Sequence, residues 1–89
     1  MSQATELVSF RKMLQILDLL ANDGSGLTVE QIAERGDFST SSAYRYVRSL
    51  RQERLLEESG DGTYQLGSRL ILLARAVRGP ANLVQRARP

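Results

Sequence analysis

Apolar positions along the chain recur in helical groups, interrupted once by a short alternating stretch. From Ser9, the residues Phe10, Met13, Leu14, Leu17, Leu20 and Ala21 repeat at spacings of three and four, predicting one apolar face of a helix. Ser9 is the expected N-cap, and Asn22-Asp23-Gly24 the stop. Ile16 and Leu19 lie beside that stripe, so the apolar surface is broader than one small core needs. Residues 1–8 lack strong periodicity and read as a frayed N-terminal tail or a helix start.

Thr28 and Gln31 have the spacing of a capping box, which opens a short helix burying Val29, Ile32 and Ala33. Gly36-Asp37 breaks it, and Phe38 supplies an apolar plug. Ser39 is then the expected N-cap of a third helix over residues 39–53, with Ala43, Val47 and Leu50 inward and Tyr46 flanking them. Residues 55–59 and 63–66 read as two strands joined by Gly60-Asp61-Gly62. Ser68 is the expected cap of a fourth helix through Val77, whose stripe is Leu70, Leu73, Ala74 and Val77, widened by Ile71 and Leu72. Gly79-Pro80 stops it. The remaining Ala81–Pro89 segment has helical spacing but too little length to be stable alone.

Helix, helix, turn, helix, two-stranded ribbon, helix is the plan of a winged helix-turn-helix. The fold class is therefore mainly α with a small β-hairpin: a three-helix core, a two-stranded wing and a following linker helix. The expected units are the tail at 1–8, the winged domain at 9–67 and a linker region at 68–89. Eighty-nine residues suit one domain, able to bury about 60–65% of the surface its unfolded chain exposes.

Charge sharpens this picture. Residues 1–43 carry a net charge of −3, whereas residues 44–89 hold nine arginines and a net charge of +5. Positive charge thus concentrates from the third helix onwards, which fits contact with nucleic acid as well as a basic face that only solvates the domain. With no Cys and no His, the chain has no disulfide framework, no conventional zinc site, and no thiol or imidazole for catalysis. No acidic cluster has metal-ligating spacing, and no nucleophile–base pair or phosphate-cradling Gly-rich loop occurs, so neither metal, cofactor nor enzymatic activity is expected. No segment resembles a signal peptide or reaches transmembrane length, which points to a cytoplasmic protein with no membrane partner.

The third helix carries the candidate chemistry. Its first turn is Ser39, Thr40, Ser41 and Ser42, small and polar enough to enter a groove; arginines follow at helical spacing. Thr40, Ser41 and Ser42 are candidates for base-edge or groove-floor contacts, with helix capping as the alternative. Tyr44 projects outward, to bond phosphate, pack on sugar or simply face solvent. Arg45 is the leading candidate, as a phosphate clamp or a bidentate reader of guanine; a salt bridge to Glu34 is the alternative. Arg48 and Arg51 suit backbone phosphate. Thr28 and the amides opening the second helix can receive a phosphate at the positive end of the helix dipole. In the wing, Glu57, Glu58 and Asp61 are expected to repel DNA, and Tyr64 to pack in the core.

These residues also carry a resemblance. SFRKMLQILDLLA resembles the first helix of the IclR family of bacterial transcriptional regulators. LTVEQIAERGDFSTSSAYRYVRSLRQERLLEE is similar to that family's helix-turn-helix, and GDGTYQLGSRLILLARA to its wing and the step into the next helix. The closing LVQRARP resembles the segment leading to an effector-binding domain. The similarity spans residues 9–89. Two positions depart from the family pattern. Asp37 stands where Gly usually precedes the apolar turn residue, and Arg54 where Gly usually follows the recognition helix.

The resemblance implies sequence-specific binding of double-stranded DNA by a transcriptional regulator. It also implies that a small-molecule effector acts only through a C-terminal domain that would begin where this chain ends. The surplus apolar residues of the first and fourth helices suggest a weak homodimer, which would read a near-palindromic operator. A winged-helix module that binds another protein and not DNA is the competing reading.

Overall fold

A computed structural model describes residues 2–77, with side chains from Leu7 onward. The elements are α1 (Ser2–Asp23), α2 (Val29–Gly36), α3 (Thr40–Gln52), β1 (Leu56–Glu58), β2 (Tyr64–Leu66) and α4 (Ser68–Ala76). They form a winged helix-turn-helix. Ile16 and Leu20 of α1, Val29, Ile32 and Ala33 of α2, and Ala43, Tyr46, Val47 and Leu50 of α3 close one core, with Leu27 and Leu56 sealing its wing side. The expected Gly79-Pro80 stop and the 81–89 segment lie outside the described residues.

α1 differs from expectation in two ways. It is continuous from Ser2, so residues 2–8 are the helix start and not a separate tail, and Ser9 lies inside it and not at its cap. Nothing between Ser2 and Phe10 breaks a helix: there is no Pro or Gly, and Ala4, Glu6 and Leu7 favour the conformation. Its inward arc is also rotated. Ile16 and Leu20 are buried, flanked by Met13, Leu17 and Leu19, whereas Phe10 and Leu14 are 54% and 44% exposed. A small core covers only the arc that α2 and α3 face, and the apolar residues of α1 spread well beyond it.

α2 opens with the expected capping box. Gln31 N–H donates to Thr28 Oγ1 at 3.2 Å, and Thr28 N–H donates to Gln31 Oε1 at 2.9 Å. It closes in a Schellman turn: Asp37 N–H donates to Glu34 O and Phe38 N–H to Ala33 O, with Asp37 left-handed at φ 59°. Asp accepts this conformation better than most residues because its short polar side chain bonds locally. The glycine sits one place earlier for a separate reason. A Cβ at buried Gly36 would collide with the ring of Phe38, which lies directly on it.

α3 is capped as expected, Ser39 Oγ accepting from Ser42 N–H at 3.1 Å. It too ends in a Schellman turn, Arg54 N–H donating to Arg51 O and Leu55 N–H to Leu50 O, both at 2.9 Å. Arg54 takes the left-handed position at φ 61°, where glycine is usual. Here the glycine stands on the facing wall, since a Cβ at Gly67 would strike the carbonyl of Arg54.

The wing pairs β1 and β2 antiparallel, with Leu56 opposite Leu66 and Glu58 opposite Tyr64. One residue unforeseen in the sequence extends it. Leu27 bridges to Tyr64 through two backbone hydrogen bonds of 3.0 and 2.7 Å, tying the α1–α2 connection to the ribbon. α4 begins after Gly67, and Ser68 is not its cap; instead Ser68 N–H donates to Glu57 Oε2 at 2.9 Å. Arg69 clamps the same joint, its Nη1 donating to Glu53 O and Oε1. The expected inward stripe of α4 finds no cover: none of its residues is buried, and Ile71, Leu72, Leu73 and Val77 are exposed.

The crowding at the α3–wing joint makes a direct prediction. Gly67→Ala pushes a methyl into backbone that no rotamer can move, and should destabilise the fold by roughly 1–3 kcal/mol. Arg54→Gly removes the left-handed strain and should leave stability within about 1 kcal/mol of the parent. Urea unfolding of the two variants checks both; a neutral Gly67→Ala would refute the packing described.

Candidate nucleic-acid interface

The outer surface of α3 is built by its phase. With Ala43, Tyr46, Val47 and Leu50 fixed inward, Thr40, Ser41, Tyr44, Arg45, Arg48 and Arg51 face out. Ser39 is engaged as the cap, Ser41 Oγ stands 3.5 Å from Ser39 Oγ, and Ser42 is half-buried. Thr40 and Ser41 therefore form the accessible tip of the helix. The ring that orients this end of α3 is Tyr46, packed edge-to-face on Phe38 with centroids 5.9 Å apart.

The arginines are not equivalent. Arg45 lies with its guanidinium carbon 5.3 Å above the centroid of Tyr46, a cation–π contact that steadies the side chain. The Ser9 hydroxyl, and then Arg45 itself, hold the Tyr46 phenol below its usual pKa. Among the described residues no carboxylate pairs with Arg45 or Arg48, so the salt bridge between Arg45 and Glu34 does not form. Arg51 differs: its Nη1 meets Glu58 Oε1 at 3.0 Å across the α3–wing gap.

Tyr44 is 51% exposed, yet its hydroxyl is directed back to α2, donating to Glu30 Oε2 at 3.0 Å. That bond uses its one proton. Glu30 holds the Tyr44 phenol above the usual tyrosine range, through the hydrogen bond first and its charge second. Thr28 Oγ1 is occupied by the capping box and is half-buried.

Arg48, Arg51, Tyr44, Arg45 and Val47 line one groove of about 450 Å³, and Tyr64 of the wing closes it. Tyr64 packs against the core as expected, but the sequence reading missed that it also reaches this groove. The available signal was the Tyr-x-Leu alternation, which puts Tyr64 and Leu66 on one side of β2. The wing acids, expected to repel DNA, each have a protein partner. Glu57 caps α4, Glu58 pairs with Arg51, and Asp61 accepts from the Thr63 hydroxyl and amide, which hold its carboxyl below the usual value. Among the described residues there is no group of three or more acidic, His or Cys side chains placed to hold a metal, and no helix is long and apolar enough to cross a membrane.

The family model of the IclR helix-turn-helix domain matches residues 9–60, more than half of the chain. The chain belongs to the IclR family. The matched segment is that family's helix-turn-helix domain, and the relatives it resembles are transcriptional regulators. A probable HTH-type transcriptional regulator, ArcR of Halobacterium salinarum, is 27% identical over 82 residues, covering 92% of this chain and 31% of that protein. The crystal structure of the Agobacterium tumefaciens repressor BlcR superposes with a TM-score of 0.75 at 25% identity, over 84% of this chain and 30% of that one. An IclR homologue from Microbacterium hydrocarbonoxydans, complexed with 4-hydroxybenzoate, gives a TM-score of 0.72 at 29% identity over 89% of this chain and 32% of that one. The chain thus spans about a third of the length of these IclR relatives.

The Tyr44–Glu30 contact can be tested without DNA. A proton held more tightly in the fold stabilises it below the ordinary tyrosine value of 10.0, and that contribution is lost as pH rises through the raised one. Ultraviolet titration of the three tyrosines should show one ionising late, and Glu30→Gln should bring it earlier. Titration curves that coincide would remove the contact.

Proposed function

We propose that this IclR domain binds duplex DNA sequence-specifically, with α3 in the major groove. Thr40, Ser41 and Ser42 meet base edges or the groove floor. Ser39 holds that turn in shape. Arg45 reads guanine or clamps phosphate, and Arg48 takes backbone phosphate. Arg51 joins them once a phosphate competes with Glu58. Tyr44, whose proton is engaged by Glu30, lays its ring on sugar, and Thr28 marks the α2 terminus where free amides meet phosphate. The observation that carries this reading is the pairing, on one exposed helix face, of a hydroxyl tip with two arginines that have no carboxylate partner among the described residues.

The exposed apolar residues of α1 (Leu7, Val8, Phe10, Leu14) and α4 (Ile71, Leu72, Leu73) support a weak homodimer through these helices. A two-fold pair would place the recognition helices about 34 Å apart on a near-palindromic operator. A small-molecule effector would bind a part of the regulator beyond this domain; one longer IclR homologue forms a complex with 4-hydroxybenzoate. Repression, the activity named for BlcR, is the regulatory outcome proposed. The work is done in the cytoplasm, at the nucleoid.

Duplexes enriched from a random-sequence pool test the reading. Binding should fall steeply with salt, and Arg45→Ala or Arg48→Ala should each lower the log–log salt slope by about 1. Arg45→Ala should weaken binding by roughly tenfold or more, relaxing preference at one base if Arg45 reads guanine; Arg51→Ala should lose less, because Glu58 already engages it. Failure to bind any duplex at low ionic strength would replace this function with a protein-binding module. Separately, sedimentation equilibrium should show concentration-dependent self-association that Leu72→Glu abolishes. A strict monomer at the highest concentrations would sink the dimer.

A further inference from the structure

The groove between α3 and the wing has arginines along its helix side and, at its wing side, the phenol of Tyr64. That ring is unusually well fixed. Its backbone is opposite Glu58 in the ribbon and doubly hydrogen-bonded to Leu27 on the other side, and its half-buried ring packs against the core. The two tyrosines of the groove differ in what their hydroxyls do. That of Tyr44 donates to Glu30, whereas Tyr64, half-buried and lining the groove, makes no side-chain hydrogen bond to another described residue. A donor on a clamped ring gives up little rotamer entropy when it meets a ligand.

Three guanidinium groups line the same groove, so the oxygen that enters it is anionic. One of them, Arg51, already borrows a carboxylate from the wing, which shows that an anionic oxygen fits between the two walls. A duplex with α3 in its major groove runs one phosphate strand along the side of that helix, towards the wing. We propose that Tyr64 is a DNA-backbone contact, its hydroxyl donating to a phosphate oxygen held between α3 and β2. This rests on the DNA-binding reading above, and adds a neutral contact from the wing to the charged ones of α3. The contact sets the position of the duplex and not its sequence preference.

Tyr64→Phe tests it, on the pool-selected duplex and on copies carrying one neutral methylphosphonate at each backbone position in turn. The ring stays, so the urea midpoint should match the parent. Affinity should fall by about tenfold, the loss of one hydrogen bond to a charged group. The salt slope should not change, because a phenol displaces no counterion. On the duplex whose methylphosphonate replaces the contacted phosphate, parent and variant should bind alike. Parent-like affinity of Tyr64→Phe alongside weakened Arg45→Ala would overturn the inference and leave DNA binding intact. A loss equal on every methylphosphonate duplex would also overturn it, placing the hydroxyl's effect inside the protein. No binding by the parent chain would remove both readings.

Discussion

The ring of Phe38 lies on the bare α-carbon of Gly36, and the orientation of α3 follows from that contact. Phe38 comes directly after the left-handed Asp37, so the ring can reach back over the end of α2 only if the residue beneath it has no side chain. The same ring then meets Tyr46, nearly two turns into α3, edge-to-face, and takes the ammonium of Lys12 from α1 at 5.3 Å. Three helices are thereby referenced to one aromatic side chain. Ala43, fully buried, lets α2 and α3 approach closely enough for this to hold. Which side chains α3 presents outward is decided here, well before any charge is considered.

Charge is then distributed by partnership. The wing looks acidic in sequence, yet Glu57, Glu58 and Asp61 serve a helix cap, an ion pair and a turn. These exposed contacts contribute little stability individually, typically 1 kcal/mol or less for a surface ion pair. Their larger effect is on the field: acids already facing cations and amides project less negative potential towards the groove. Arg45 and Arg48 are left as the cations of α3 without such partners among the described residues.

Local signals were legible and tertiary ones were not. The Thr28–Gln31 box, the Ser39 cap, the left-handed Asp37 and the inward Ala43, Val47 and Leu50 depend on neighbours a few residues away, and the sequence displays them directly. The face of α1 was misjudged because its apolar residues cover too wide an arc for periodicity to choose one direction. Leu27 was missed because a single bridging residue has no period at all. The engagement of Tyr44 by Glu30, fourteen residues away, and of Ser68 N–H by Glu57, eleven away, required the packed fold to be visible. Both departures from the family's glycine pattern sit at left-handed turn positions, Asp37 and Arg54. In the fold each lies beside a crowded glycine: Gly36, directly before Asp37, under the ring of Phe38, and Gly67 against the carbonyl of Arg54.

The joint at the base of α4 has a consequence for how the domain comes apart. α4 is gripped at its first two residues by Glu53, Arg54 and Glu57, and beyond that grip buries no side chain. Unravelling it exposes little apolar surface beyond that of the half-buried Leu70, so its opening free energy is set mainly by a few polar contacts and its own helix propensity. The three-helix core can stay closed while α4 melts and re-forms. α4 is thus a low-stability unit fastened to the end of α3, which belongs to the packed core.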